Sequence, residues 1–129
     1  MKALAQVSET AAHFAGKGVD YLLVYITEAH PTDGWQNAWA PPQFAATAFA
    51  RSDEDRLAAA RKFVADLGIA DTPIVVDSIA DECENRYEAR PERLYVVLGG
   101  KVLWRGGLGP FEYDASGLAA FLQEYTAAA

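Results

Sequence analysis

Residues 19–27 (VDYLLVYIT) form an almost continuous apolar run, and this run constrains the fold more than any other segment. Its length and its β-branched and aromatic side chains predict a strand that is buried on both faces, as in the parallel sheets of α/β proteins. A sheet built around such a strand needs helices to cover it. The sequence therefore predicts the α/β class.

Helical and strand patterns alternate through the rest of the chain. Leu4, Val7, Ala11 and Phe14 recur at intervals of three and four residues, which predicts a first helix that ends near Gly18. The later predicted elements are a helix over 52–67 with Ser52 as N-cap, a strand over 73–77, a helix over 78–87, strands over 93–98 and 101–105 joined by Gly99-Gly100, and a helix from about residue 114. This order predicts a mixed sheet flanked by helices, in a single domain over residues 1–129.

Charge and cysteine content narrow the range of functions. The formal net charge is -7, and a chain this acidic is not expected to bind nucleic acid or an anionic membrane. The single cysteine, Cys83, cannot form an internal disulfide, and the spacings of zinc ligands do not occur. We therefore expect a reduced, cytoplasmic protein with no bound cofactor.

Polar residues follow the predicted strand 19–27 and form the first candidate site. Ligands of open α/β sheets bind beyond the carboxyl ends of the strands, where Glu28 and His30 lie. A histidine can transfer protons near neutral pH, and a neighbouring carboxylate can fix its tautomer. Two other interpretations stay open from the residues alone: a polar turn capped by Asp33, and a metal site formed by Glu28, His30 and Asp33.

The segment around this pair is similar to a known family. Residues 21–35 (YLLVYITEAHPTDGW) closely resemble a segment of the iodothyronine deiodinases. The resemblance continues, in matching order, through residues 52–60 (SDEDRLAAA), 73–81 (PIVVDSIAD), 91–102 (PERLYVVLGGKV) and 105–113 (RGGLGPFEY). The run EAHPTDGW is the specific motif, and the other segments support it.

The resemblance implies a thioredoxin-like fold and the reductive removal of iodine from a small molecule by a selenocysteine or cysteine nucleophile, with a thiol as reductant. By motif, His30 would handle protons and Glu28 would be its acidic neighbour. Thioredoxin-like folds often hold a cis-proline that lines the site, and Pro91 precedes the matching strand; a trans-proline that starts a strand is an equally good interpretation. Trp35 belongs to an aromatic set that would form a substrate lip, a dimer contact or a plug for the core.

The nucleophile of the family has no counterpart among these residues. The resemblance places it in a Thr-(Sec or Cys)-Pro-Pro-Phe-like run between a leading strand and the first helix, and here the first helix begins at the start of the chain. Cys83 lies between Glu82 and Glu84 in a later predicted helix, which favours a structural thiol with a raised pKa. We therefore expect the leading strand and the nucleophile to be encoded upstream of Met1, and the printed chain to be inactive.

The residues that would hold a thyronine also differ. Where the resemblance implies a histidine and a basic residue, the chain has Ala50-Arg51-Ser52 and Leu108. We expect another organohalide or a peroxide as the substrate. The alternative function is a non-catalytic binding or assembly module that forms a homodimer through its aromatic loop or an exposed sheet edge.

Overall fold

The computed structural model describes residues 2–28, 48–109 and 111–127. The α-helices in these ranges are α1 (Lys2–Phe14), α2 (Asp53–Leu67), α3 (Glu82–Tyr87) and α4 (Ala115–Ala127), and a 3-10 helix spans Ala15–Lys17. The strands are β1 (Leu23–Tyr25), β2 (Ile74–Val76), β3 (Tyr95–Leu98) and β4 (Lys101–Arg105).

The strands form two pairs. β1 and β2 are parallel, with Leu23 opposite Ile74 and Tyr25 opposite Val76. β3 and β4 form an antiparallel hairpin. Helices therefore combine with both parallel and antiparallel strands, and the predicted α/β class is confirmed. In the described residues the strands are divided between two two-stranded sheets, where the sequence predicts one mixed sheet.

The chain divides into two compact units. The first consists of Met1–Tyr21 and Glu92–Ala129, and it contains α1, the β3–β4 hairpin and α4. The second is Leu22–Pro91, and it contains β1, α2, β2 and α3. The prediction of a single domain over residues 1–129 stays a prediction.

The core of the first unit lies between α1 and α4. Its buried side chains are Val7, Phe14, Ala115, Leu118 and Leu122. Trp104 of β4 packs against this cluster and stacks on Phe121, with the ring centroids 6.3 Å apart. The spacing of three and four residues in α1 therefore marks a buried face, as the sequence predicts.

Two predictions from local sequence signals are confirmed: the ends of α2 and the turn of the β3–β4 hairpin. The Ser52 side chain accepts a hydrogen bond from the Asp55 backbone N–H (3.1 Å) and caps α2, which ends at Gly68 with left-handed backbone (φ 64°). Gly99 and Gly100 both have positive φ (58° and 78°), the geometry that a two-residue hairpin turn requires. Both signals depend on residues close in sequence, so tertiary context does not override them.

β1 is shorter and less buried than predicted. It covers three residues within the predicted span 19–27, and all three are half-buried rather than buried on both faces. The adjoining Leu22 is exposed. In the described part of the chain β1 pairs with β2 alone, so a short partner limits its length.

The third helix begins four residues later than predicted, at Glu82 rather than residue 78. Asp77 explains the delay, because its carboxylate accepts hydrogen bonds from the backbone N–H groups of Ser78, Cys83 and Glu84 (2.9 Å each). This interaction holds the intervening residues in a loop, and the last of them, Asp81, has left-handed backbone (φ 58°).

Candidate functional site

Polar side chains collect where the two parallel strands end. Thr27 and Glu28 follow β1, while Asp77, Ser78 and Asp81 follow β2. Parallel strands have their carboxyl ends at one edge, which is the edge where α/β proteins bind ligands. The second unit therefore has a polar cluster at the position that favours a functional site.

Glu28 is a buried carboxylate with two donors among the residues that the structure describes. Only 9% of the residue is exposed. The Tyr25 hydroxyl donates to Glu28 Oε1 (3.4 Å), and the backbone N–H of Ala50 donates to Oε2 (3.4 Å). A buried carboxylate needs such donors to offset lost hydration. These two contacts give each oxygen of the side chain one donor at the end of β1.

Tyr25 stays protonated under ordinary conditions. Burial raises the pKa of its phenol, and the charge and hydrogen bond of Glu28 raise it further, while nearby Arg56 lowers it. Its ring packs edge to face against Phe63 of α2, with centroids 5.5 Å apart. Tyr25 is therefore a permanent hydrogen-bond donor to Glu28.

Arg56 is the buried cation of the cluster. It is 2% exposed and lies in the first turns of α2. Its Nη1 contacts Asp81 Oδ1 (2.8 Å) and also donates to the carbonyl oxygen of Ser78, while Nη2 donates to Thr27 Oγ1 (3.1 Å). The Thr27 hydroxyl in turn donates to Asp81 Oδ1 (2.7 Å). One guanidinium thus joins the segments that follow both strands.

The surroundings of Asp81 lower the pKa of its carboxyl group. Burial acts to raise it, but the hydrogen bonds from Thr27 and Arg56 and the positive charge of Arg56 outweigh burial, and the net pKa is lowered. The Asp81 carboxylate is therefore ionised in the folded protein over the physiological range.

The residues predicted for the site fall into three groups. Glu28 lies in the cluster, as described above. The peptide bond between Arg90 and Pro91 is cis, which agrees with the cis-proline interpretation; a contact of Pro91 with substrate stays a prediction. His30 and Trp35 lie outside the described residues, and their predicted roles stay predictions.

Cys83 has the environment of a weak nucleophile. It is half-buried near the start of α3, and burial, followed by the charge of Asp77, raises the pKa of its thiol. The reactive form of a cysteine is the thiolate, which a raised pKa disfavours. This agrees with the prediction of a structural thiol.

Sequence reasoning singled out Glu28 alone in this cluster, and among the members that it missed, Arg56 and Tyr25 differ in the signal that the sequence gave. Arg56 shares its helix face with the buried Ala59 and Ala60, at spacings of three and four residues. A charged residue on an apolar stripe was the available signal, because such a residue needs a partner. Tyr25 gave no signal of its own, since a tyrosine is ordinary in an apolar strand.

A metal site needs several ligating side chains in one place. Among the described residues, no group of three or more His, Cys, Asp or Glu side chains is arranged to hold a metal ion. The alternative metal site of Glu28, His30 and Asp33 depends on two residues outside the described ranges and stays open. None of the helices described has the length and apolar character to cross a membrane.

The architecture and the cluster define an α/β protein with a buried carboxylate at the carboxyl edge of a parallel strand pair. Residues 1–126 match the family model of iodothyronine deiodinase. The chain is 40% identical over 112 residues to the thyroxine 5-deiodinases of Sus scrofa and Homo sapiens, an alignment that covers 84% of this chain and 34% of each relative. It is 34% identical over 105 residues to the type I iodothyronine deiodinase of Xenopus laevis, covering 81% of this chain and 39% of that protein.

These similarities extend over nearly the whole chain, and the protein belongs to the iodothyronine deiodinase family. The resemblance of residues 21–35 and of the later segments is thereby confirmed. The chain spans about a third of the length of the curated thyroxine 5-deiodinases that it matches.

The lowered pKa of Asp81 predicts a pH-dependent stability. As the pH falls below about 3.8, the unfolded chain takes up a proton at this carboxyl before the folded chain does, so the free energy of unfolding decreases. We expect Asp81→Asn to reduce this loss between about pH 5 and pH 2, measured by urea unfolding at a series of pH values. Asn also tolerates the left-handed backbone at this position.

Asp66→Asn is the control. It also removes one carboxylate, but from an ion pair with Lys62 on α2 that does not include Asp81 or Arg56. An Asp81→Asn profile with the same slope as the wild-type and control profiles would contradict the assignment.

Proposed function

We propose that the chain forms the proton-handling part of a deiodinase-like enzyme that removes halogen from an organic substrate by thiol- or selenol-dependent reduction. For an iodinated substrate the balance is R–I plus two thiols giving R–H, one disulfide, iodide and a proton. The carbon–iodine bond breaks, a carbon–hydrogen bond forms, and the two thiols supply the two electrons. Family membership supports this reaction class.

The observation that carries the proposal is the placement of Glu28. It is buried, its two oxygens are held by Tyr25 and Ala50, and it lies two residues before His30 in the segment that resembles the family. In this proposal His30 delivers the proton to the carbon that loses iodine. Glu28 is the acidic neighbour that keeps the imidazole protonated until transfer, since a nearby carboxylate favours the charged form of a histidine.

The proposed nucleophile comes from outside residues 1–129. A chalcogen must accept the iodine, and the one sulfur nucleophile in the sequence, Cys83, has a raised thiol pKa. We propose a thioredoxin-like arrangement in which a selenocysteine or cysteine faces Glu28 and His30. A small thiol or protein dithiol of a reducing cytoplasm regenerates it.

We propose an organohalide without a carboxylate group as the substrate. Leu108 is partly exposed in the loop after β4, at the position where the resemblance implies a basic residue that holds thyronine. An apolar side chain at this position cannot pair with a carboxylate, and polar pairing is what gives a site strong discrimination between substrates. A peroxide is the second substrate class, because it accepts the same two electrons.

Iodide release from an iodinated phenol, with dithiothreitol as reductant, tests the function. We expect residues 1–129 alone to show no turnover, with or without Cys83→Ser. We expect a variant extended ahead of Met1 by a strand and a Thr-Cys-Pro-Pro-Phe run to release iodide. In that variant, Glu28→Gln should lower kcat by about a hundredfold or more, the usual contribution of acid–base groups.

The matched control is Glu124→Gln, which makes the same change at an exposed position of α4. Turnover by residues 1–129 that survives Cys83→Ser would contradict the missing nucleophile. Full activity of Glu28→Gln in the extended variant would contradict the role of the carboxylate.

Exposed apolar side chains favour a second candidate, a non-catalytic assembly module. Val97, Leu98 and Val102 near the hairpin turn are 55%, 59% and 52% exposed. Strands with exposed apolar residues and unpaired edges are sites where a second copy can add. In this alternative the chain pairs with itself and carries out no reaction.

Sedimentation velocity separates the two candidates. A single species of 14.0 kDa is the expected result for the enzyme-derived domain. A species of twice that mass that Val97→Glu converts to monomer would favour assembly through the hairpin, because a charge in an apolar contact opposes association. Gln123→Glu controls for the one added negative charge, since Gln123 is an exposed neutral residue of α4.

A further inference from the structure

Arg56 is a buried charge, and its guanidinium has partners among the described residues at the carboxyl edge of the parallel strand pair. A residue that is 2% exposed loses nearly all hydration of its guanidinium, and only strong contacts offset that loss. Within the described residues, its guanidinium contacts Thr27, the carbonyl oxygen of Ser78 and Asp81. The cation therefore stabilises a specific arrangement of the two segments that follow β1 and β2.

The Thr27 hydroxyl is the point where this network meets β1. It accepts a hydrogen bond from Arg56 Nη2 (3.1 Å) and donates one to Asp81 Oδ1 (2.7 Å). A hydroxyl has one proton to donate, and here that proton is directed to a carboxylate while a lone pair is directed to a cation. Both contacts involve charged groups, which form the stronger class of hydrogen bond. The Thr27 side chain is thus held in one orientation.

Glu28 is the next residue along the chain. Its oxygens lie 3.4 Å from Tyr25 Oη and 3.4 Å from the backbone nitrogen of Ala50, which are long hydrogen bonds. Long bonds alone constrain a side chain weakly, so the backbone that carries it must be fixed by something else. The short contacts of Thr27 provide that constraint.

We propose that Arg56 is a positioning residue for Glu28, and that it acts through Thr27 and Asp81 rather than by contact with substrate. This inference rests on the proposed function for the importance of Glu28, but the geometry that it asserts can be tested without turnover. Positioning has a large effect in catalysis, because a displacement of about 1 Å at a reacting group can cost about a hundredfold in rate.

Hydrogen exchange at the Ala50 amide is the readout, because this N–H donates to Glu28 Oε2 and its protection depends on where the carboxylate lies. Thr27→Val removes the hydroxyl with little change in shape and leaves the contact between Arg56 and Asp81 in place. We expect exchange at Ala50 to become about five- to tenfold faster, the effect of losing one net hydrogen bond.

Two reference amides in the same unit report on general destabilisation. The Leu23 N–H donates to the carbonyl oxygen of Pro73, and the Ile69 N–H donates to that of Val64. Neither bond includes a residue of the network, so both rates should stay at their wild-type values in Thr27→Val. A purely structural role for the network would instead speed exchange at all three amides together.

Thr27→Ser and Thr126→Val complete the design. Serine keeps the hydroxyl, so Thr27→Ser should restore the wild-type rate at Ala50. Thr126→Val removes a hydroxyl that donates to the carbonyl oxygen of Leu122 in α4, and it should leave Ala50 unchanged.

Unchanged exchange at Ala50 in Thr27→Val, or an equal rise at Ala50, Leu23 and Ile69, would overturn the inference. Faster exchange confined to Ala50 supports it even if Glu28→Gln proves fully active in the extended variant. That combination would contradict the proposed function, while the inference that Arg56 positions Glu28 would still hold.

Discussion

The burial of one guanidinium organises the second unit. Arg56 must have acceptors where it lies, and the chain supplies them from the residues that follow β1 and those that follow β2. Two three-residue strands offer few hydrogen bonds to each other, and a small isolated parallel pair is weak. The charged contacts at their carboxyl ends therefore add a constraint that the strands alone do not provide. The positions of Thr27 and Glu28 depend on this constraint.

Three carboxylates near this edge have different roles because their surroundings differ. Asp81 is paired with the cation and has a lowered pKa. Asp77 accepts three backbone N–H groups and determines where α3 begins. Within the described residues Glu28 accepts two long hydrogen bonds, from Tyr25 and Ala50 (3.4 Å each), so it is less committed to a structural contact than Asp81 or Asp77. This difference is why Glu28 is the member of the set assigned to chemistry.

Local signals in the sequence predicted the elements that local interactions determine. The bounds of α2 follow from Ser52 and Gly68, and the hairpin turn follows from Gly99 and Gly100. The start of α3 was predicted too early because the Asp77 carboxylate accepts hydrogen bonds from the first-turn N–H groups of Cys83 and Glu84 and so fixes the helix to begin at Glu82. The burial of β1 was overestimated because an apolar run does not reveal how many neighbours a strand has.

Sequence signals report local interactions, so only the part of the site that lies in one short segment was predictable. The EAHPTDGW motif singled out Glu28, and the structure places this residue in the polar cluster after β1, while its catalytic role stays a prediction. The Arg56 network joins residues 54 positions apart in the sequence, from Thr27 to Asp81, and no periodicity shows such a pairing. The one signal of this network in the sequence is a charged residue, Arg56, on the helix face that Ala59 and Ala60 share.

A double-mutant cycle between Thr27→Val and Asp81→Gly tests the central claim most directly, since glycine accepts the left-handed backbone at position 81. The free energies of unfolding of the wild type, both single variants and the double variant give the coupling between the hydroxyl and the carboxylate. The network predicts a coupling of about 1 kcal/mol or more, as for a hydrogen bond to a charged group. A coupling within about 0.3 kcal/mol of zero would mean that the two residues act independently, and the account of how Glu28 is held would fail.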